Sequence, residues 1–367
     1  MIPYIRGKVT RQAHVDIPEG TYEEEYAREG FFGRYAHLYR TAPPVGWTEI
    51  EGDLKPRAFD PLKIEKTQGG DYLGQREVML LNHDVEIAYV SLNVDMPYFM
   101  RNADGDEVFF IHQGKGILET DFGPLQYQVG DYLVVPRGTV FRFKVFEKTD
   151  ILNILSFSEI RLPDKGILGQ HALLDPAMIQ VPTPELNQDH PAGNYDLLIR
   201  RCGGITKVVY PFYPINTVGW KGTLTVWQIN VKDIRPVSSD RYHLPPSAHI
   251  TFVANQFVIC TFLPRPLENG DPNALKVPFY HSNIDYDEVL FYHHGQFFSR
   301  AGTKEGMITF HPQGIHHGPQ ADAIKRTNDI KYTNEIAVMI DTRNPLQVSG
   351  ATEDYEWKEY WKSWRTT

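Results

Sequence analysis

HSNIDYDEVLFYHHGQF, residues 281–297, packs three histidines, two aspartates and a glutamate into seventeen positions. A worn copy, NADGDEVFFIHQGKG, stands at 102–116 with Asn102 in place of the leading histidine. The likeness extends well beyond these stretches. In the second copy His281, Asn283 and Glu288 are followed by six residues and Gly295; Gly306, five residues, Pro312, one residue, Gly314, two residues and His317 come next. In the first copy Asn102, Asp104 and Glu107 are followed by six residues and Gly114; Gly130, five residues, Pro136, one residue, Gly138, two residues and Phe141 come next. Two spacings of this length in the same order mark an internal duplication.

The rest of the chain favours strands. Runs such as REVMLLN, IAYVSLNV, YLVVP, FRFKVF and HITFVANQFVICTFL are rich in β-branched and aromatic residues and are punctuated by Gly, Pro, Asn and Asp. That pattern predicts an all-β protein. Helices are expected only in TYEEEYAREGFFGRYAHLY near the N-terminus and in TEDYEWKEYWKSW at the C-terminus, whose aromatic stripe suits docking against the body. Residues 161–196, with five prolines and little periodicity, read as an irregular connection.

At 367 residues the chain can hold two domains or one large β unit. A net charge of -9 with scattered lysine and arginine gives no basic field for nucleic acid. Two cysteines make no disulfide framework, which suits a reducing, cytoplasmic setting. No window reaches the ~18 apolar residues of a membrane-spanning helix, and no signal-peptide core opens the chain.

The second copy carries the chemistry. His281 and Asn283 are two apart and share a strand face. Glu288 lies at an odd offset from both, so IDYD is expected to turn before Glu288 opens the next strand. GMITFHPQGIHHGP reads as a strand, a Pro-x-Gly turn and a histidine opening the returning strand. His281, Glu288 and His317 can therefore meet, and two histidines with one carboxylate and open positions suit non-haem Fe(II), with manganese or nickel as other occupants. His294 shares the parity of Glu288, but six residues at ~3.3 Å each place it roughly 20 Å along the strand. His293 points to the opposite face, His311 precedes the turn, and His316 offers an alternative register. In the first copy Phe141 cannot ligate a metal, so that unit is expected to be a scaffold or oligomer-forming part, with Asp104 and Glu107 in turn or surface hydrogen bonds.

The paired spacings resemble the two signature motifs of the cupin superfamily in bicupin order. That resemblance implies two cupin-type β-barrels with a few peripheral helices. The chain then divides into an arm with a short helix at 1–60, a barrel without metal at 61–160, a connection at 161–200, a metal-binding barrel at 201–350 and a C-terminal helix at 351–367. More specifically, LYR at 38–40, PRG at 136–138, YPINTVGWKG at 213–222, FVICTFLPRP at 257–266, PFYHSN at 278–283 with Glu288, and HGPQAD at 317–322 resemble the homogentisate 1,2-dioxygenase family, in its order along the chain.

The family resemblance implies a mononuclear Fe(II) enzyme that opens a 1,4-dihydroxylated aromatic acid with dioxygen, giving maleylacetoacetate from homogentisate. It also implies a homo-oligomer of trimers paired into hexamers. It carries the iron ligands onto His281, Glu288 and His317 and a proton-accepting histidine onto His243, with His249 competing. Arg241, Arg265 and Arg300 are candidates for holding a substrate carboxylate. The sequence departs from the family at two points. Four residues rather than three separate Asn283 from Glu288, and Phe297 stands where the family has a substrate-contacting tyrosine, leaving Tyr280, Tyr286 or Tyr292 to supply a hydroxyl. The chain is also shorter than typical members. The alternatives are a dioxygenase for another hydroquinone or gentisate-like ring, a metal-dependent cupin isomerase, or a small-molecule-binding protein.

Overall fold

The computed structural model describes residues 4–64, 71–185, 189–276, 279–297, 300, 302–320 and 329–365; residues 278, 321 and 322 of the family-like segments lie outside that set. Among the described residues the protein is all-β apart from one four-residue α-helix, Tyr72–Gln75, and short 3₁₀ turns. The strand-rich runs form an 11-stranded sheet and a 6-stranded sheet, each built around one copy of the duplicated motif. The first sheet centres on two long antiparallel strands, Asp106–Thr120 and Val140–Ser156, whose register shifts at Val145, Glu147 and Asp150 bend the ribbon. The second contains Phe257–Phe262, Asp287–His294, Ile308–His311 and Ile336–Thr342.

The matched glycines hold matched backbone. Gly114 and Gly295 have φ of +92° and +99°, and a Cβ would lie 2.3 Å from the carbonyl oxygens of Lys148 and Asn334 respectively. Only glycine tolerates both conditions, so the repeat in sequence is a repeat in geometry.

Three expectations need correction. Residues 21–39 contain no helix: Tyr22–Ala27 and Tyr35–Arg40 are antiparallel strands, and Tyr22–Ala27 also runs parallel to Tyr280–Asn283. Pairing on both edges overrides local helix propensity, and left-handed φ at Glu29, Gly30 and Phe31 turns the chain between the strands. The C-terminal segment is not one α-helix but two 3₁₀ turns, Gly350–Tyr355 and Tyr360–Trp364. The domain boundary also moves. Tyr195–Arg201, Gly204–Tyr210 and Trp227–Asn230 return to the first sheet, the first parallel to Phe99–Asn102 and the last antiparallel to Asp131–Val135. The first unit therefore reaches residue 230, well past the expected start of the second at 201. Arg57–Phe59 joins the second sheet and Gln347–Val348 the first, so each unit lends the other a strand.

Strand alternation sorts the core. On Asp106–Thr120, Phe109 and Ile111 pack inside the first unit, while Val108 and Phe110 join Val289, Phe291, Val338 and Ile340 of the second sheet in one shared apolar cluster. His112 and His293 have that same outward parity. Both are buried, and their Nδ1 atoms lie 2.9 Å apart, so one ring donates and the other accepts.

Burial pushes His112 down to about 4 and His293 down to about 3. An unfolded histidine titrates near 6.5, so below that pH the unfolded chain takes up protons that the folded chain refuses. Stability is then fully present above about pH 6.5 and falls as pH drops towards 4, by roughly 3 kcal/mol for His112. Urea midpoints measured at pH 7, 6 and 5 should fall in sequence, and the fall should be shallower in a His112→Leu/His293→Leu double variant.

Candidate metal centre

His281, on the strand Tyr280–Asn283, and His317, beyond the Pro312–Gly314 turn, face each other across an isolated antiparallel bridge. His281 N–H donates to His317 O at 3.1 Å and His317 N–H to His281 O at 3.3 Å. Directly paired residues share a face, and the imidazole centroids are 4.3 Å apart. Glu288 opens the strand Asp287–His294 and presents Oε2 3.8 Å from His281 Nε2 and 3.4 Å from His317 Nε2. One ligand atom from each residue fits within a 4.8 Å cluster.

The polar surroundings suit a cation. His281 Nδ1 lies 3.0 Å from Phe279 O, which fixes the proton on Nδ1 and leaves Nε2 as a lone-pair donor. That Nε2 is buried without a hydrogen-bond partner among the described residues. Burial alone would push the Glu288 carboxyl up, but the imidazoles of His317, His281 and His311 outweigh it and hold the group well below its ordinary value. Burial holds His317 below its ordinary range, with Glu288 opposing. An ionised Glu288 and a His317 that resists protonation are the states that metal binding requires of those two groups.

His311 has a role that the sequence reading missed. It sits in register opposite Glu288, its Nδ1 is 2.7 Å from Glu288 Oε1, and its Nε2 is 3.1 Å from Tyr360 Oη. The hairpin register was the available signal, since the residue before the Pro-x-Gly turn must lie across from the first residue of the preceding strand. Tyr360 and Trp364 of the C-terminal aromatic stripe are buried there, and Trp364 Nε1 donates to Gly318 O at 3.1 Å.

Glu288 and His281 line a pocket. Phe262, Phe279, Leu290, Ala337 and Met339 supply apolar walls, and His243, Arg265, Arg300 and Tyr292 supply polar groups. His243 Nδ1 is 3.0 Å from Glu268 Oε1, and burial pushes the ring down to about 4 although Glu268 opposes it. His249 is buried beside Phe262 and does not line the pocket. Arg265 donates to Leu263 O and lies 4.0 Å from Glu335; Arg300 donates to Gly318 O at 2.9 Å. Arg241 is exposed and outside the pocket. His294 is exposed and paired with Glu305 at 2.8 Å, while His316 pairs with Glu24 at 2.8 Å.

The first copy is closed by hydrogen bonds. Asn102 Nδ2 donates to Glu107 Oε1 at 2.6 Å, and Asn153 Nδ2 to Glu107 Oε2 at 2.6 Å. Phe141 packs against Tyr72 and Phe109. Asp104 does bind a turn, accepting from Gly203 N–H, but Glu107 is buried, against the expectation of a surface role, because the amides satisfy its carboxylate.

The N-terminal homogentisate 1,2-dioxygenase family model matches residues 47–231. That span ends just beyond Trp227–Asn230, a strand of the first sheet. A Saccharolobus solfataricus protein provisionally named a dioxygenase is 32% identical over 363 residues, covering 94% of this chain and 93% of that protein. The chain belongs to the homogentisate 1,2-dioxygenase family. Human homogentisate 1,2-dioxygenase is 26% identical over 356 residues, covering 87% of this chain and 80% of that protein. The Bradyrhizobium diazoefficiens enzyme of the same name is 25% identical, covering 89% and 77%.

Within this family frame, Phe297 does not line the pocket; it packs on Tyr292 at 4.7 Å, and Tyr292 does line it. Tyr292 is the tyrosine of the three alternatives found there, with its hydroxyl 3.1 Å from Thr309 Oγ1. The extra residue before Glu288 is absorbed in the turn preceding the strand.

His311→Gln should weaken divalent-metal affinity about 10–100-fold, because a partner that orients a ligand is lost. His316→Ala should leave affinity unchanged. Competition against a chelator measures both, and the reverse result would reinstate the His316 register.

Proposed function

We propose that the chain is a ring-cleaving dioxygenase that holds Fe(II) through His281, Glu288 and His317. The observation that carries this reading is the convergence of His281, Glu288 and His317 within one 4.8 Å cluster, with His281 and Glu288 lining a pocket that has largely apolar walls. A small aromatic acid with 1,4-hydroxyl groups and dioxygen are the partners that fit, and homogentisate is the first candidate, with maleylacetoacetate as its product. When bound, the ferrous ion would supply open positions at which a ring oxygen and dioxygen meet and a route for electrons between them.

The chain's own groups divide the remaining work. Glu268 holds the proton of His243 on Nδ1, which leaves Nε2 as the acceptor for a phenolic proton. Because His243 stays neutral down to about pH 4, it is ready for that task across the neutral range. Arg265, buried on the pocket wall, offers its guanidinium to the substrate carboxylate, and Phe262 and Leu290 face the ring. Assembly as trimers or hexamers and a cytoplasmic setting belong to the same proposal. Among the described residues no helix is long and apolar enough to cross a membrane.

A second reading, cleavage of a hydroquinone lacking the acid side chain, is favoured by the apolar share of the lining. Oxygen uptake by anaerobically iron-loaded protein separates the two. Homogentisate or gentisate should drive uptake, and His243→Gln should lower kcat by about 10²–10⁴. Arg265→Met should raise KM for the acids about 10–100-fold, the scale of a lost charged hydrogen bond, and leave unsubstituted hydroquinone unaffected. No uptake with any of these rings would end the dioxygenase reading.

A further inference from the structure

The N-terminal hairpin gathers a second set of histidines and carboxylates. Glu23 and Glu25 lie two apart on Tyr22–Ala27, and their register partners on Tyr35–Arg40 are Tyr39 and His37. These four side chains therefore share one face of the ladder. His14, from the arm that precedes the strand, is buried against that face with a left-handed φ of +67°, a conformation that a non-glycine residue adopts at some cost. One ligand atom each from His14, Glu23 and His37 fits within a 4.8 Å cluster.

Charge and hydrogen bonding both leave this cluster incomplete. Glu23 and Glu25 are 3% and 7% exposed, and among the described residues neither is paired with a lysine or arginine. Glu24, on the other face, takes Arg40 and His316. His14 Nδ1 is 2.8 Å from Glu23 Oε1 but lacks hydrogen-bond alignment, and that oxygen also accepts the His14 backbone N–H at 2.8 Å. Glu25 Oε2, 3.8 Å from His14 Nε2, and His37 Nε2 are both buried without a hydrogen-bond partner among the described residues. Tyr39 Oη donates to Glu23 Oε2 at 2.6 Å and orients that carboxylate as outer partners of metal ligands do. Two buried carboxylates facing two imidazoles ask for a positive charge at their centre.

We propose that His14, Glu23 and His37 form a second divalent-cation site, of the zinc class, with Glu25 within reach of a fourth position. Two nitrogens and one or two carboxylate oxygens suit Zn²⁺ at four-coordination. Its role is to clamp the arm carrying His14 onto the hairpin. That hairpin is the parallel neighbour of Tyr280–Asn283, with Glu25 in register with His281, so the clamp steadies the strand that holds a ligand of the first centre.

Metal-free full-length protein titrated with Zn²⁺ and dialysed should retain two equivalents per chain by elemental analysis. His37→Gln and His317→Gln should each retain one, and Zn²⁺ should still raise the Tm of His317→Gln while protecting its arm from proteolysis. One equivalent in the wild-type chain, or two in His37→Gln, would overturn the proposal and leave His14 as a simple ion-pair partner of Glu23. The wild-type count and the His317→Gln result decide the matter even if His37→Gln folds poorly.

Discussion

Two backbone hydrogen bonds between His281 and His317 are the constraint on which the candidate centre depends. A bridge of this kind leaves the paired side chains little choice of direction, so both imidazoles rise from one face at a fixed separation. Glu288 then needs only to arrive from the adjoining strand. The rest of the structure holds these three positions. The N-terminal hairpin supports the free edge of the His281 strand, and the Ile308–His311 strand carries His311 up behind Glu288. The C-terminal 3₁₀ turn supplies Tyr360 behind His311 and Trp364 against the carbonyl of Gly318. Segments from both ends of the chain thus converge on the site. Positioned ligands cost no reorganisation when a cation binds, which is what a reactive centre requires.

The duplication shows what changes when the same frame is asked to do something else. Both units bury a glutamate at the mouth of the motif, and a buried carboxylate must find partners. In the first unit Asn102 and Asn153 saturate Glu107 with amide donors, and Phe141 fills the space with a ring that packs on Tyr72 and Phe109. In the second unit the corresponding positions are His281 and His317, and the polar capacity is left partly open at His281 Nε2. Closure by amides gives a stable scaffold, whereas closure by imidazoles waits for a cation. The two units also share one apolar cluster and exchange strands, so the scaffold fixes the working unit directly and not through a linker.

Much of this was legible in the sequence because it rests on spacing. The duplicated glycines, the turn before Glu288 and the Pro-x-Gly reversal before His317 are local signals with local causes, and they carried the all-β class and the convergence of His281, Glu288 and His317. What the sequence hid is non-local. TYEEEYAREGFFGRYAHLY has the composition of a helix and becomes a hairpin only because Tyr280–Asn283 offers it an edge. Nothing between residues 161 and 230 says that Trp227–Asn230 will return to Asp131–Val135 of the first sheet. His311 looked like a strand end until its register with Glu288 was known. Phe297, where the family resemblance expects a tyrosine, packs on the ring of Tyr292, and Tyr292 lines the pocket.

The pocket also shows why charge and apolar surface can coexist there. Arg265 and Arg300 are buried, and each is tied to a backbone carbonyl, so neither guanidinium collapses onto Glu288. Arg300 lies 5.5 Å from the Trp364 ring, and Arg265 lies 5.5 Å from Phe262, flat contacts that accept a cation without demanding a counter-ion. Glu288 keeps its charge because three imidazoles favour it, while Asp341, in register behind it, is pushed well above its ordinary value by burial and by Glu288 itself. Burial and the neighbouring Glu288 thus both oppose ionisation of Asp341. A dication bound to Glu288 would add positive charge to a pocket that Arg265 and Arg300 also line, with Glu335 offsetting part of it. An anionic aromatic ring is the ligand whose own charge would answer that field, and its flat face has Phe262 and Leu290 to lie against.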